Sequence, residues 1–262
     1  MLFAALTGLA TFAAGGNLAS GVEALAAFRI EEAVSRLSRA LEEGPYGHAD
    51  HVRLYESLGI AQASLGDEPA ALAAFTKLLI LSPGHALSYT LSPKVTFVFE
   101  RARGAAGPPP TLELGWPYDL RVEDAVPLTL EVVINPGNVL ARAVVYARRQ
   151  GDPAYVPREV SLAPVGRHVT AVLPSPEPGA ERDVNAEVYV VGLDARGNEI
   201  TSVGSAATPR EVHLAYRPDP WYSHWWVWAV GAVVVGGAAV GATMAATARV
   251  PDRVPTLIDP GR

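Results

Sequence analysis

The sequence predicts a multi-domain α + β chain: a short helical repeat module, an antiparallel β-sandwich and a C-terminal transmembrane helix. Three observations carry this. Apolar residues recur with helical period through the first hundred residues. The period falls to two after Pro108, Pro109 and Pro110. Beyond that, Trp225–Ala248 runs without a single charge.

The helical module is expected over residues 17–104. Within Val52–His85, Tyr55, Leu58 and Gly59 sit on a first helix and Gly66 in the turn. Ala71 and Phe75 follow on a second helix that Pro83 stops. Gly59 and Ala71 let the two helices approach closely, and Phe75 fills the wedge between them. This set resembles a tetratricopeptide (TPR) repeat, with Leu78 and Gln62 in places where the family pattern has a small residue and an aromatic. Ala33, Leu37, Ala40 and Pro45, with a shortened helix at Gly21–Phe28, resemble a degenerate preceding copy. Ser92–Arg103 begins like a capped helix with Pro93 in its first turn, and would seal the open end of the stack. The resemblance implies a docking surface for another protein or peptide, with Arg53, Glu56, Ile60 and Ala63 as its groove-facing residues; ordinary solvated or packing roles are the alternative. His48 and His51 flank Asp50 in a spacing that imitates a metal site, but a helix cap (Asp50) and a surface residue are the plainer roles.

Residues 105–110 read as a linker. Over 111–217, seven strands are expected: Thr111–Trp116, Pro127–Ile134, Ala141–Arg148, Arg158–Leu162, His168–Leu173, Asn185–Leu193 and Glu211–Ala215. Leu128, Leu130, Val132 and Ile134 alternate with other residues and give one face to a core. Asn135–Asn138 and Asp194–Asn198 carry turn chemistry. With Tyr189 before the second turn and Gly204 and Ser205 after it, this region resembles the immunoglobulin- and fibronectin-like (Ig-like) domains of bacterial surface proteins. A calcium loop at Asp194 and Asn198 is disfavoured, because calcium needs about six or more oxygens.

The ends are distinct. Residues 1–16 are apolar and uncharged with a small-residue exit, as in a secretory signal peptide, though without its basic start; a first helix of the helical module is the other reading. The transmembrane helix is expected over 223–248. Its uncharged run spans about 36 Å at a rise of about 1.5 Å per residue, against a hydrocarbon core of about 30 Å. Trp221, Tyr222, Trp225, Trp226 and Trp228 cluster at one end, and Arg249 and Arg253 close the other before a short tail, 249–262. The arginines put the tail in the cytoplasm, leaving the folded part on the periplasmic face of a bacterial inner membrane. If 1–16 is not a signal, the chain is a tail-anchored, cytoplasm-facing adaptor. Gly237 and Gly241 begin a small-residue face on which two such helices could pack as a homodimer; Gly- and Ala-rich composition alone also produces it.

A net charge of −6 with no basic stripe excludes a nucleic-acid partner. The absence of cysteine removes thiol catalysis and Cys-ligated zinc. There is no nucleophile elbow, zinc-protease helix or phosphate-binding glycine loop, so no catalytic residue, metal ligand or cofactor is assigned. The expectation is therefore a non-enzymatic, membrane-anchored scaffold or adaptor whose partners are another protein, such as an envelope-complex component, and the bilayer. The alternative is a glycan-binding surface protein acting through the sandwich. That reading needs clustered aromatic residues, for which Tyr146, Tyr155 and Tyr189 are the candidates, with no clustering evident from their spacing.

Overall fold

A computed structural model describes residues 16–218. The expected signal peptide, the span at 223–248 with Gly237 and Gly241, and the tail therefore lie outside the described residues, except that Gly16 opens the first helix. Among the described residues, no helix is long and apolar enough to cross a membrane. The fold is mixed α + β, with five α-helices followed by antiparallel sheets.

The helices are α1 (Gly16–Ala26), α2 (Ile30–Glu43), α3 (His48–Leu65), α4 (Glu68–Leu81) and α5 (Pro93–Ala105). They pack as two antiparallel hairpins, α1–α2 and α3–α4, with α5 laid on α4. The hairpins are built alike. Gly59, Ala71, Phe75 and Leu78 repeat the spacing of Gly21, Ala33, Leu37 and Ala40, and all eight are buried. A Cβ on Gly59 would stand 2.5 Å from the Phe75 ring, and one on Gly21 would stand 2.7 Å from Leu37 Cγ. Non-bonded carbon atoms essentially never come that close. Each hairpin thus closes on a large side chain set into a glycine notch. Phe99 of α5 meets Phe75 edge-on at 5.3 Å and extends the packing past the last hairpin.

Local signals explain most helix ends. Asp67 caps α4, its Oδ1 accepting from the Ala70 N–H at 3.1 Å, and Pro93 occupies the first turn of α5. The cap of α3 differs from expectation. Gly47 holds that position and Asp50 lies in the first turn, where its charge favours the helix N-terminus.

Eight strands follow: β1 (Thr111–Gly115), β2 (Val126–Ile134), β3 (Arg142–Arg149), β4 (Val156–Ser161), β5 (His168–Leu173), β6 (Val184–Leu193), β7 (Glu199–Val203) and β8 (Arg210–Leu214). One sheet has the order β1-β2-β5. In the other, β4-β3-β6-β7, β8 also pairs with β6. Leu128, Leu130 and Val132 of the first sheet and Val145, Val188, Val190, Val212 and Leu214 of the second belong to one buried cluster. The strand not expected is β7. It completes a hairpin that the Asp194–Asn198 turn itself demands, since a tight turn after one strand returns the chain beside it.

The helices and sheets form one compact unit. Leu81 of α4 belongs to the β cluster, and Tyr55 of α3 packs against that cluster and against both helical ones. The prolines at 108–110 therefore join parts that also touch directly; Pro110 is buried.

Candidate functional site

Arg53, Glu56, Ile60 and Ala63 lie along one face of α3, as their three- and four-residue spacing requires. Their surroundings differ. Arg53 is exposed. Glu56 is half-buried, with Oε1 3.5 Å from His85 Nε2 in the loop after α4. Ile60 packs at the margin of the cluster formed with α5. Ala63 is 1% exposed and buried in that same cluster, beneath α5. The open part of this face is thus its N-terminal half, around Arg53 and Glu56.

That half adjoins a polar joint between helices and sheet. The turn Asp194–Asn198 first organises itself: Asp194 Oδ1 accepts from the N–H groups of Arg196 and Asn198, and Oδ2 accepts from the Asn198 side-chain amide, each at 2.8 Å. Asn198 is buried, and its Oδ1 accepts from the Tyr46 N–H at 2.9 Å. The Glu199 N–H donates to the Tyr46 carbonyl at 2.9 Å. Glu199 Oε2 accepts from the His48 N–H at 3.2 Å, and Arg196 donates to the Leu41 carbonyl at 2.8 Å. The loop thereby pairs backbone groups at the end of α2 and the start of α3 that have no helical partner. A histidine metal pair does not form there. His51 is 4% exposed, with Nδ1 3.3 Å from the Glu199 carbonyl, and its burial pushes its pKa below the ordinary range, keeping the ring neutral. His48 uses its backbone instead.

The tyrosines are brought together, contrary to what their spacing indicated. Strand β3 lies beside β6 with Tyr146 opposite Tyr189, so both rings leave the same face. They stack at 4.6 Å with planes 6° apart. Tyr155 meets Tyr189 at 4.8 Å, nearly perpendicular. The Arg148 guanidinium lies 4.2 Å over the Tyr155 ring and bonds Glu187 at 2.6 Å, while the Tyr155 hydroxyl donates to the same carboxylate at 3.2 Å. Stacking occupies one face of Tyr146 and one of Tyr189, and Arg148 covers a face of Tyr155. The cluster braces the β3–β4 hairpin more than it offers a flat surface.

No protein-family model matches this chain, and no curated protein matches it. The geometry therefore stands by itself. Spacing alone brought the α3 residues onto one face; it gave no sign of the joint or of the tyrosine cluster. The signal for the joint was present as the turn Asp194–Asn198, whose donors and acceptors exceed what one hairpin consumes.

Proposed function

We propose that this protein is a non-enzymatic, membrane-anchored scaffold of the bacterial envelope, holding a TPR-like docking surface and an Ig-like sandwich as one body. The observation that carries the reading is the polar joint. Five contacts from one loop tie α2 and α3 to the sandwich, so a partner on α3 would be held at a defined position relative to the sheets. The glycine-notched hairpins support the TPR-like assignment, and the shared core of two antiparallel sheets supports the Ig-like one. The uncharged run at 225–248 and its tryptophan border support the anchor, and the arginines after it support a periplasmic body. The docking region is the exposed half of the α3 face, around Arg53 and Glu56.

The glycan reading gains the clustering of Tyr146, Tyr155 and Tyr189 that it requires. Stacking and the Arg148 guanidinium take one face of each ring from a sugar, so the scaffold reading accounts for more of the geometry. The test is a photo-crosslinking amino acid placed at Arg53 in the full-length protein in cells, with Thr129 on the outer face of the first sheet as reference. A discrete protein adduct from position 53, absent from 129 and lost with Glu56→Arg, is the expected result. Adducts of equal yield at both positions, or insensitive to Glu56→Arg, would contradict a docking surface on α3.

A further inference from the structure

Between α4 and the β6–β7 loop the joint leaves a cleft of about 390 Å³. That is within the usual range for small-molecule sites, and junctions between packed parts are where such sites often lie. Part of its wall is aliphatic, with Leu54, Ile80 and Val139 among the lining side chains. Four polar residues line it with chemistry unspent, among them Tyr46, whose buried hydroxyl has no hydrogen-bond partner among the described residues. Lys77 of α4 and Arg196 of the loop both line the cleft, and neither has a carboxylate within ion-pair distance among the described residues. The guanidinium of Arg196 gives one bond to the Leu41 carbonyl and retains further donors. Tyr55 also lines the cleft, and its hydroxyl makes no hydrogen bond among the described residues. Asp194 lines the cleft too; its carboxylate accepts three bonds within its own turn, and Lys77, Arg196 and Asp194 together carry one formal positive charge.

We propose that this cleft binds a small organic carboxylate with an apolar body. The aliphatic wall would take the body. Lys77 and Arg196 would flank the carboxylate with charge-assisted bonds, and the Tyr55 hydroxyl would donate a further one. Burial pushes the Tyr55 phenol's pKa up, so it remains a proton donor throughout the neutral range. A bare inorganic anion would leave the aliphatic part of the wall unused, and a neutral alkane or alcohol would make no use of the two exposed cations. An amphipathic carboxylate satisfies both halves of the site. The inference is independent of what docks on α3.

The sequence supplies a site-specific probe, because Lys77 and Lys94 are its only lysines. Reductive methylation with a ¹³C label keeps their charge and yields one NMR signal for each, assigned with Lys94→Arg. Hexanoate titrated into the full-length protein should shift the Lys77 signal saturably and leave Lys94 in place. Hexan-1-ol should have no effect, and acetate should bind at least about tenfold more weakly. Tyr55→Phe keeps the ring and its packing, and should weaken hexanoate by about tenfold, the equivalent of one good hydrogen bond. Arg196→Gln should weaken it further. Joint movement of Lys77 and Lys94 without saturation would mean a general ionic effect and overturn the proposal. So would hexan-1-ol binding as well as hexanoate, acetate binding as well as hexanoate, or an unchanged affinity in Tyr55→Phe.

Discussion

The contacts between helices and the joint between helices and sheet are made in opposite ways. Within the stack, a notch and a wedge set the contact: Gly59 admits the fully buried ring of Phe75 and Gly21 admits Leu37, with polar pairs such as Asn17–Glu43 and Arg101–Glu68 only at the exposed rim. At the joint, a few hydrogen bonds from the Asp194–Asn198 turn and Glu199 meet the exposed backbone ends of α2 and α3, with Tyr55 packed beneath. Apolar wedges are set by shape and spread over many atoms. The polar joint depends on individual donors and acceptors, so it is the more specific and the easier to open with one substitution.

The largest effect should come from the wedge. Phe75→Ala removes a fully buried ring and should cost about 3–5 kcal/mol, read by chemical denaturation. The compact packing of helices on sheet predicts that helical and β signals fall together in that variant. A helical signal lost while the strands keep their exchange protection would separate the two parts. Gly59→Val tests the notch from the other side. Overpacking against the ring should cost about 1–3 kcal/mol or more, and Gly59→Ala should already be unfavourable because its Cβ meets the ring.

Asn198→Ala comes next. It strips the Tyr46 N–H of its acceptor and leaves a buried donor unpaired, a loss of about 1–3 kcal/mol. Amide exchange should rise at Tyr46 and along β7 while α5 keeps its protection. Equal acceleration in α5 would mean that the loop stabilises the whole molecule and does not act as a local joint.

The joint should also weaken in acid. Burial lowers the pKa of His51, so at a pH below the ordinary value of about 6.5 the unfolded chain takes up a proton that the folded chain refuses. Its contribution is therefore complete above that value and is lost as the pH falls toward the depressed folded pKa. The charged or titratable groups around it are His48 and Tyr55 of α3 and Asp194 and Glu199 of the loop and β7. Replacing His51 with Gln should flatten the slope of stability against pH in this window. An unchanged slope would assign it to other groups. The smallest effect is expected at Arg53→Ala, an exposed change that should stay within about 0.5 kcal/mol of the parent in chemical denaturation.

The difference between the two contact types also explains what the sequence revealed. The wedges are local and periodic, so Ala71, Phe75 and Pro83 announced a hairpin, and Ala33, Leu37 and Ala40 announced a second. The strand His168–Leu173 was legible because turn residues bound it on both sides. Strand β7 was less so: it is short, and Ile200 and Val203 are its only large apolar residues. The joint was hidden for another reason. Asn198 and Tyr46 are far apart in the chain, and the residue type of Asn198 announces a turn without naming its partner. The tyrosine cluster was hidden by topology. Period two assigns Tyr146 and Tyr189 to a face of a strand, but only the pairing of β3 with β6 makes them neighbours.

The central claim, that the helical stack and the sandwich are held as one body by the Asp194–Glu199 segment, has a direct test. The natural chain contains no cysteine, so Ser35→Cys on α2 and Ser161→Cys on β4 introduce two unique, exposed sites for nitroxide labels. Pulsed electron-resonance distance measurement on the full-length protein should give one narrow distribution, which broadens when Asn198→Ala and Arg196→Ala are combined. A distribution that is already broad in the parent, or one left unchanged by loss of both side chains, would contradict the account.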